Sequence, residues 1–246
     1  MLKKKTHKIR LALFISGGAT TACAIINACN ANTLNIVPAL VIASKNDIVG
    51  ISRVIEAGMK KTDVVVIDPR QFDSPTSFAK KLISTCESRN INLIGQYGWL
   101  PMTPIRLINR FEGRIINQHP GPLDYGRPDF GGKGMYGRRV HCAVLYFRRN
   151  TNHDFWTEAT AHLVTEQYDK GIVIGASPIP IEKYDTVESL QKKVLPIEHL
   201  VQINALKDFS EGKITKVKRL IPLIDKKEYF ILKEAKKVAD VLYPNG

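Results

Sequence analysis

Three polar residues carry the side chains that are needed to move an acyl group onto an amine. Asn117 and His119 stand two positions apart, and Asp169 follows much later in the chain. An Asn amide can donate a hydrogen bond to an oxyanion, a His can donate to the same oxygen and move protons, and an Asp can orient the His and stabilise its cation. These residue types therefore indicate acyl-transfer chemistry.

The segment that contains Asn117 and His119 predicts a short buried strand. The apolar run 113–116 precedes Asn117, and Pro120 is expected to end the strand after His119. Strand alternation places the two polar side chains on the same side. Taken singly, an Asn-x-His is more often a turn Asn with a structural His, and Asp169 before Gly171 is typical of a hairpin turn.

The first half of the chain alternates short apolar runs with amphipathic stretches. Strands are predicted at 10–15, 35–43, 63–67, 91–95 and 114–117, and helices at 20–30, 47–57, 74–89 and 103–110, with Ser74-Pro75 as the cap and first turn of the third helix. This alternation predicts an α/β fold with a doubly wound, mostly parallel sheet that is covered on both faces. The carboxyl ends of such strands form the default ligand site, and Gly17-Gly18, the turn 97–99 and the segment 117–119 all follow or end predicted strands.

The second half of the chain predicts a long loop and fewer elements. Residues 121–137 are rich in Gly and Pro, and loops of this length are usually functional or disordered. A helix at 135–149, antiparallel strands at 159–164 and 172–181, a helix at 186–209 interrupted near Pro196, a strand at 217–224 and a basic helix at 227–242 are expected after it. We expect one domain at 1–212, with a basic carboxyl-terminal extension at 213–246 packed on it.

Composition narrows the class of protein. The chain has 246 residues, 44% of them hydrophobic, and no apolar run of membrane-spanning length. A net charge of +13 can indicate a nucleic-acid partner, but the basic residues are spread out, and the local cluster 213–219 has no interleaved aromatic residues. We therefore expect anionic small molecules as partners rather than nucleic acid or a membrane.

The cysteines and histidines give no sign of a metal site. The four Cys residues form no Cys-x-x-Cys pair and the six His residues no His-x-x-x-His pair, so we expect reduced cysteines and no metal. The apolar run 11–15 is too short for a signal sequence and fits a first strand, which predicts a cytoplasmic protein. The sequence leaves open whether the protein is a monomer or a homodimer.

Two motifs resemble those of a known family. With Ile-Asn-Gln-His-Pro at 116–120, and Asp-Lys-Gly at 169–171 after a strand, the chain resembles the folate-dependent formyltransferases from about residue 9 to about residue 212. Within that family it is most similar to the enzymes that act on glycinamide ribonucleotide (GAR) in purine biosynthesis. The resemblance implies a Rossmann-like formyltransferase fold and 10-formyltetrahydrofolate as the co-substrate, with no metal because the formyl group is already activated.

The resemblance also implies roles for individual residues. Asn117 and His119 would flank the formyl carbon and stabilise the oxyanion, while Asp169 would support His119 and raise its pKa, so that a cation is available near neutrality. The acceptor phosphate is expected at Gly17, Gly18, Thr20 and Thr21, the folate pocket at Tyr97, Gly98, Trp99, Leu100, Thr165 and Tyr168, and the acceptor amine side at Glu198.

The chain departs from the pattern of the GAR enzymes at three of these places. Ala19 stands where those enzymes have Gly, Thr21 where they have an Asn that holds the phosphate, and Trp99 where they have Arg. In the long loop, Arg127 and Lys133 are candidates to reach a phosphate or the glutamate tail of the folate, and the loop is equally a candidate lid.

Other functions stay open from the sequence. The alternatives are formyl transfer to another amine, either of a sugar nucleotide or of methionyl-tRNA, and a folate-binding relative without catalysis. Tyr97-Gly98 resembles the methionyl-tRNA enzymes, but these carry an added β-barrel domain that the 34 residues after Gly212 are too few to form. Glu198-His199 resembles the GAR enzymes, and the intact catalytic set argues against a non-catalytic relative.

Overall fold

The computed structural model describes residues 8–151 and 156–246. They form two compact units, one made of the chain up to Ile116 with Leu206–Ile214, and the other of Asn117–Ala205 with Thr215–Gly246. The division at residue 212 into a domain and an extension stays a prediction.

The first unit alternates parallel strands with helices. Its elements are β1 (Ile9–Ile15), α1 (Thr20–Asn30), β2 (Ile36–Ala43), α2 (Gly50–Glu56), β3 (Val64–Val66), α3 (Pro75–Ser88), β4 (Leu93–Gln96) and α4 (Ile105–Arg110). The strands lie in the order β3-β2-β1-β4, and each neighbouring pair is parallel. Residues 11–15 of β1 are fully buried, as the near-continuous apolar strands predict.

Local sequence explains where the helices of this unit begin. α1 has the predicted bounds and follows the Gly17-Gly18 turn. At the start of α3, Ser74 Oγ accepts from the Ser77 N–H (3.1 Å) and Ser77 Oγ accepts from the Ser74 N–H (3.2 Å), with Pro75 in the first turn. This reciprocal cap satisfies two helix-terminal donors and confirms the predicted cap at Ser74-Pro75.

Within its described residues, the second unit contains antiparallel strands and three α-helices. β5 (Ile115–His119) runs from the first unit into the second and ends before Pro120, as predicted. Its other elements are α5 (Arg138–Arg149), β6 (Trp156–Leu163), β7 (Val173–Pro180), α6 (Val187–Ser210), of which the residues up to Ala205 belong to this unit, and α7 (Tyr229–Leu242). β6 and β7 pair antiparallel, with Ala159 opposite Ser177. The predicted fold class, a mostly parallel α/β sheet with antiparallel strands late in the chain, is therefore confirmed.

The predicted interruption of α6 near Pro196 is wrong. The helix runs from Val187 to Ser210 with Pro196 inside it, on its exposed side. Leu190 and Val194 before the proline, and Val201 and Ala205 after it, are buried. Packing on both sides of Pro196 therefore stabilises the helix by more than the one missing N–H costs.

The predicted strand at 217–224 is also wrong, because these residues have no regular secondary structure. The Val217 N–H donates to Val173 O (2.9 Å) and the Leu223 N–H to Asp124 Oδ2 (3.0 Å), so the backbone is satisfied by separate contacts. Pro222 between them has no N–H to donate to a ladder.

The helix near the carboxyl terminus is confirmed and begins at Tyr229. It follows a short 3-10 turn at Lys226–Glu228, packs against α5, and buries Leu232, Ala235 and Ala239. In the part of the chain that the structure describes, no helix is long and apolar enough to cross a bilayer.

Candidate active site

Asn117, His119 and Asp169 lie together in the second unit. His119 Nδ1 is 3.6 Å from Asp169 Oδ2, and the two side chains are 2% and 10% exposed. The other ring nitrogen of His119, Nε2, is buried and has no hydrogen-bond partner among the described residues. His119 therefore turns Nδ1 toward the carboxylate and leaves Nε2 for a substrate.

His162 joins this cluster and was missed by the sequence reasoning. Its Nε2 lies 3.1 Å from Asn117 Nδ2 and 3.4 Å from Asp169 Oδ1, and its Nδ1 lies 3.0 Å from Leu163 O. Because a carbonyl oxygen only accepts, Nδ1 donates to Leu163 O, while Nε2 lies between the Asn117 amide and the Asp169 carboxylate. His162 thus holds the Asn117 amide in place, and the amide nitrogen, which carries two N–H groups, keeps one of them for an oxyanion.

The backbone around Asp169 is unusual. Asp169 has φ 54°, a left-handed conformation that costs an L-residue about 1–2 kcal/mol, in the turn between β6 and β7. The Gly132 N–H donates to Asp169 Oδ2 (2.9 Å). A Cβ on Gly131 would lie 2.6 Å from Asp169 Cβ, so the Gly131 backbone packs directly on the aspartate. The long loop between β5 and α5 therefore helps to fix this carboxylate.

Burial and charge set the protonation of the catalytic pair. Burial raises the pKa of Asp169, but the charge of His119, the hydrogen bond and charge of His162 and the Gly132 N–H together lower it well below its ordinary value. Burial lowers the pKa of His119, and the opposing charge of Asp169 offsets only part of this. The prediction of a His119 cation near neutrality is therefore wrong, because burial outweighs the carboxylate, and the pair is an aspartate beside a neutral imidazole.

The loop 121–137 is built around two buried aspartates. Asp129 accepts from the Asp124 N–H (3.1 Å), the Gly131 N–H (3.1 Å) and Lys170 Nζ (2.8 Å). Asp124 Oδ1 accepts from the guanidinium of Arg127 (2.8 Å). Arg127 is thereby held by Asp124, whereas Lys133 is exposed, and a contact of either side chain with a phosphate or a folate tail stays a prediction.

The predicted phosphate turn lies in the first unit, between β1 and α1. Gly17 and Thr20 are exposed, Gly18 is half-buried, and Thr21 is buried with an Oγ1 that has no partner within the described ranges. Ala19, which stands where the GAR enzymes have Gly, has φ 56°. The turn therefore keeps the left-handed backbone that glycine would adopt without strain.

A cation beside this turn was also missed by the sequence reasoning. Arg53 of α2 donates from Nη1 to Gly18 O (3.2 Å). Close approach of α2 to the turn depends on Gly50, because a Cβ there would lie 2.4 Å from Gly17 O. The turn thus combines the amino-terminal N–H groups of α1, which have no partner within the helix, with a buried hydroxyl and a guanidinium, and these groups together suit an anion.

The predicted folate segment, Tyr97–Leu100, divides into buried and exposed residues. Tyr97 and Trp99 are buried, and the Trp99 ring packs on Phe14 with centroids 4.9 Å apart. Gly98 and Leu100 are exposed. Ser16 Oγ accepts from the Leu100 N–H (3.0 Å), which joins this segment to the end of β1. Within the first unit, the structure therefore brings the folate segment next to the phosphate turn.

The remaining predicted residues lie in the second unit. Thr165 and Tyr168 are exposed in the turn that leads to Asp169, where Thr165 Oγ1 donates to Gln167 O (3.2 Å). Glu198 lies on α6, is 6% exposed, and has an Oε1 without a hydrogen-bond partner in residues 8–151 and 156–246. Burial raises the pKa of Glu198 from 4.5 to about 7.

Glu198 predicts a pH dependence of stability. Because its pKa is raised in the folded chain, the unfolded chain loses this proton first, and the cost to folding grows from about pH 4.5 to about pH 7. The difference in unfolding free energy between Glu198→Gln and wild type should rise across that window in favour of the Gln variant, by up to about 3 kcal/mol, and then level off. Urea unfolding at pH 4, 6 and 8 measures it, with exposed Glu166→Gln as the control. A pH-independent difference would contradict the prediction.

Fold and site together define an α/β protein in which a buried His lies with a half-buried Asn and Asp in an arrangement suited to acyl transfer. A family model described as "Formyl transferase" matches residues 9–206, and the chain belongs to the formyl transferase family. This confirms the family that the motifs resemble.

Similar proteins are named for one acceptor. The chain is 30% identical over 220 residues to the chloroplastic phosphoribosylglycinamide formyltransferase of Vigna unguiculata, which covers 89% of this chain and 66% of that protein. It is 29% identical over 221 residues to the chloroplastic phosphoribosylglycinamide formyltransferase of Arabidopsis thaliana, and the match covers 89% of this chain and 71% of that protein. The solved structure of glycinamide ribonucleotide transformylase 1 from Symbiobacterium toebii aligns with a TM-score of 0.75 at 28% identity, over 87% of this chain and 92% of that one. The chain thus spans about two thirds of the length of the plant relatives.

Proposed function

We propose that this protein transfers the formyl group of 10-formyltetrahydrofolate to the amine of GAR, in de novo purine biosynthesis in the cytoplasm. The observation that carries the proposal is the buried cluster in which Asp169 faces His119 Nδ1, while His119 Nε2 and one N–H of Asn117 stay unpaired among the described residues. The names of the similar plant and bacterial proteins support GAR as the acceptor.

The catalytic residues divide the work of the reaction. 10-Formyltetrahydrofolate, when bound, supplies the activated formyl group. The free N–H of Asn117 donates to the formyl oxygen as negative charge develops on it. His119 Nε2 accepts the proton that the amine loses as its new C–N bond forms, and returns it to the folate nitrogen as the old C–N bond breaks. Asp169 holds the Nδ1 proton of His119 and stabilises the imidazolium between these two transfers.

The chain's residues fit a folate co-substrate. Trp99 Nε1 and Tyr97 Oη are buried polar atoms without partners in the described part of the chain. Exposed Gly98 and Leu100 flank them and offer backbone groups and an apolar side chain. A flat heterocycle with hydrogen-bonding edges matches such a segment. In the second unit, Thr165 and Tyr168 stay candidates for contact with the same co-substrate.

The residues proposed to bind the formyl acceptor match an amine that carries a phosphate. The turn at Gly17, Gly18, Thr20 and Thr21 would hold the phosphate, and Arg53 would supply the charge that balances it. Glu198 would receive the amine side of the acceptor, because a buried carboxyl with an unpaired oxygen gains a hydrogen bond when a donor binds.

Comparison of acceptors tests the proposal. The purified protein is supplied with 10-formyltetrahydrofolate and, in turn, with GAR, a sugar nucleotide that bears a free amine, or methionyl-tRNA, and release of tetrahydrofolate is followed. We expect kcat/KM for GAR to exceed the other two by at least about a hundredfold, since buried polar groups left unpaired reject a wrong substrate. Preference for another amine would overturn GAR as the acceptor, and folate binding without any transfer would support a non-catalytic relative.

A further inference from the structure

The carboxyl-terminal extension touches the loop that holds Asp169. Residues 213–246 lie beyond the 9–206 that match the family model. Three of their contacts reach successive points of the loop: Arg219 Nε donates to Leu123 O (2.9 Å), the Leu223 N–H to Asp124 Oδ2 (3.0 Å), and Lys236 Nζ to Gly131 O (2.6 Å). The extension therefore helps to fix the loop 121–137, which in turn contacts Asp169.

The Lys236 contact differs from the other two because it reaches Asp169 through a single peptide group. The Gly131 carbonyl and the Gly132 N–H belong to the same planar unit. Lys236 Nζ donates to the Gly131 oxygen of this peptide group. At the other end of the same group, the Gly132 N–H donates to Asp169 Oδ2 (2.9 Å). A cation on the carbonyl polarises the group and makes the N–H a stronger donor.

The peptide group between Gly131 and Gly132 needs a side-chain contact to fix its orientation. Both of its residues are glycines, and Gly132 has φ 112°, so the backbone on either side gives little resistance to rotation of the plane. Lys170 Nζ, an ammonium of the same region, instead forms an ion pair with Asp129 Oδ1 (2.8 Å). Lys236 is thus the side chain that sets the direction of the 131–132 peptide from the oxygen side.

Packing of α7 does not by itself explain this half-buried lysine. Leu232, Ala235 and Ala239 already bury the apolar side of the helix. Placing an ammonium beside them costs free energy unless its hydrogen bonds compensate, and the bond to Gly131 O supplies that compensation at the catalytic aspartate.

We propose that Lys236 is a positioning residue for catalysis, which holds and polarises the 131–132 peptide so that its N–H fixes the Asp169 carboxylate against His119. The inference rests on the proposed formyl transfer. It gives the carboxyl-terminal extension a part in the reaction, although no residue of the extension touches the catalytic side chains directly in the contacts described above.

Three variants test the proposal. Lys236→Met removes the donor and the charge but keeps the length of the side chain, Lys236→Gln keeps a donor, and Lys237→Met removes the exposed neighbouring lysine as a control. We expect Lys236→Met to lower kcat roughly tenfold with KM for GAR and for folate within about twofold of wild type, because the reacting groups are misaligned while the binding groups are intact. Lys236→Gln should recover most of the loss, and the control should match wild type.

The outcomes separate this inference from the proposed function. If wild type transfers no formyl group to GAR, the proposed function fails. If wild type is active and folded Lys236→Met keeps its kcat, or loses only affinity, the positioning role is overturned. If the Lys236→Gln variant is as inactive as the Lys236→Met variant, the hydrogen-bond account is overturned. Should Lys236→Met not fold, Lys236→Ala takes its place with the same expectations.

Discussion

Replacing His119 with Ala is expected to lower kcat for formyl transfer by at least roughly a thousandfold, with folate affinity nearly unchanged. The buried ring faces Asp169 through Nδ1 and leaves Nε2 unpaired in the described structure, so it is the group placed to take up the amine proton. Removing it takes away the base and also the N–H that the ring, once it has taken up the proton, can donate to the oxyanion. Steady-state kinetics and a folate-binding titration measure the two effects separately.

A second variant separates proton transfer from hydrogen bonding. His119→Gln keeps an N–H donor but cannot accept the proton, so it should retain more activity than His119→Ala while staying roughly a hundredfold below wild type. Thermal unfolding establishes that both variants are folded. A folded His119→Ala protein within tenfold of the wild-type kcat would contradict the assigned role.

Asp169→Asn is expected to lower kcat by about a thousandfold, since an amide cannot stabilise the imidazolium and favours the wrong tautomer of the ring. The same change should move the acid limb of the pH–rate profile to lower pH. The charge of Asp169 raises the pKa of His119 against the effect of burial, and its removal therefore lowers that pKa further. Asp129 acts in the same direction as Asp169, whereas His162 and Lys236 lower the pKa.

The control for Asp169→Asn is Asp73→Asn, which changes an exposed aspartate in the first unit and should leave both kcat and the pH profile unchanged. Folate binding should survive in both variants. An Asp169→Asn protein whose acid limb moves to higher pH would refute the electrostatic account, and one with wild-type kcat would refute the catalytic role.

Much of the fold follows from local sequence. α1 occupies the predicted residues because the Gly17-Gly18 turn and an apolar stripe define it, and α3 begins at the predicted Ser74 cap. Asn117 and His119 could be paired from strand alternation alone. These inferences depend on near neighbours in the chain. Asp169 could be added through the resemblance of Asp-Lys-Gly at 169–171 to the formyltransferase motif, because its place in a turn does not by itself pair it with His119.

The rest of the site depends on packing that local sequence does not specify. His162 meets Asn117 and Asp169 after a register shift between Ala161 and His162, and one residue of slip in a strand changes which face a side chain takes. Lys236 reaches Gly131 because α7 docks on α5, and its sequence shows only a basic helix. The His119 pKa depends on how deeply the ring is buried, which residue types alone do not give.

The most direct test of the central claim is a single-turnover reaction. Excess protein is mixed with 10-formyltetrahydrofolate that carries a ¹³C-labelled formyl group and with GAR, and the products are identified by mass. The account predicts that the label appears on GAR, and that the Asp169→Asn protein binds the same folate but transfers the label about a thousandfold more slowly. Label that remains on the folate with wild-type protein, or that reaches GAR equally fast with Asp169→Asn, would contradict it.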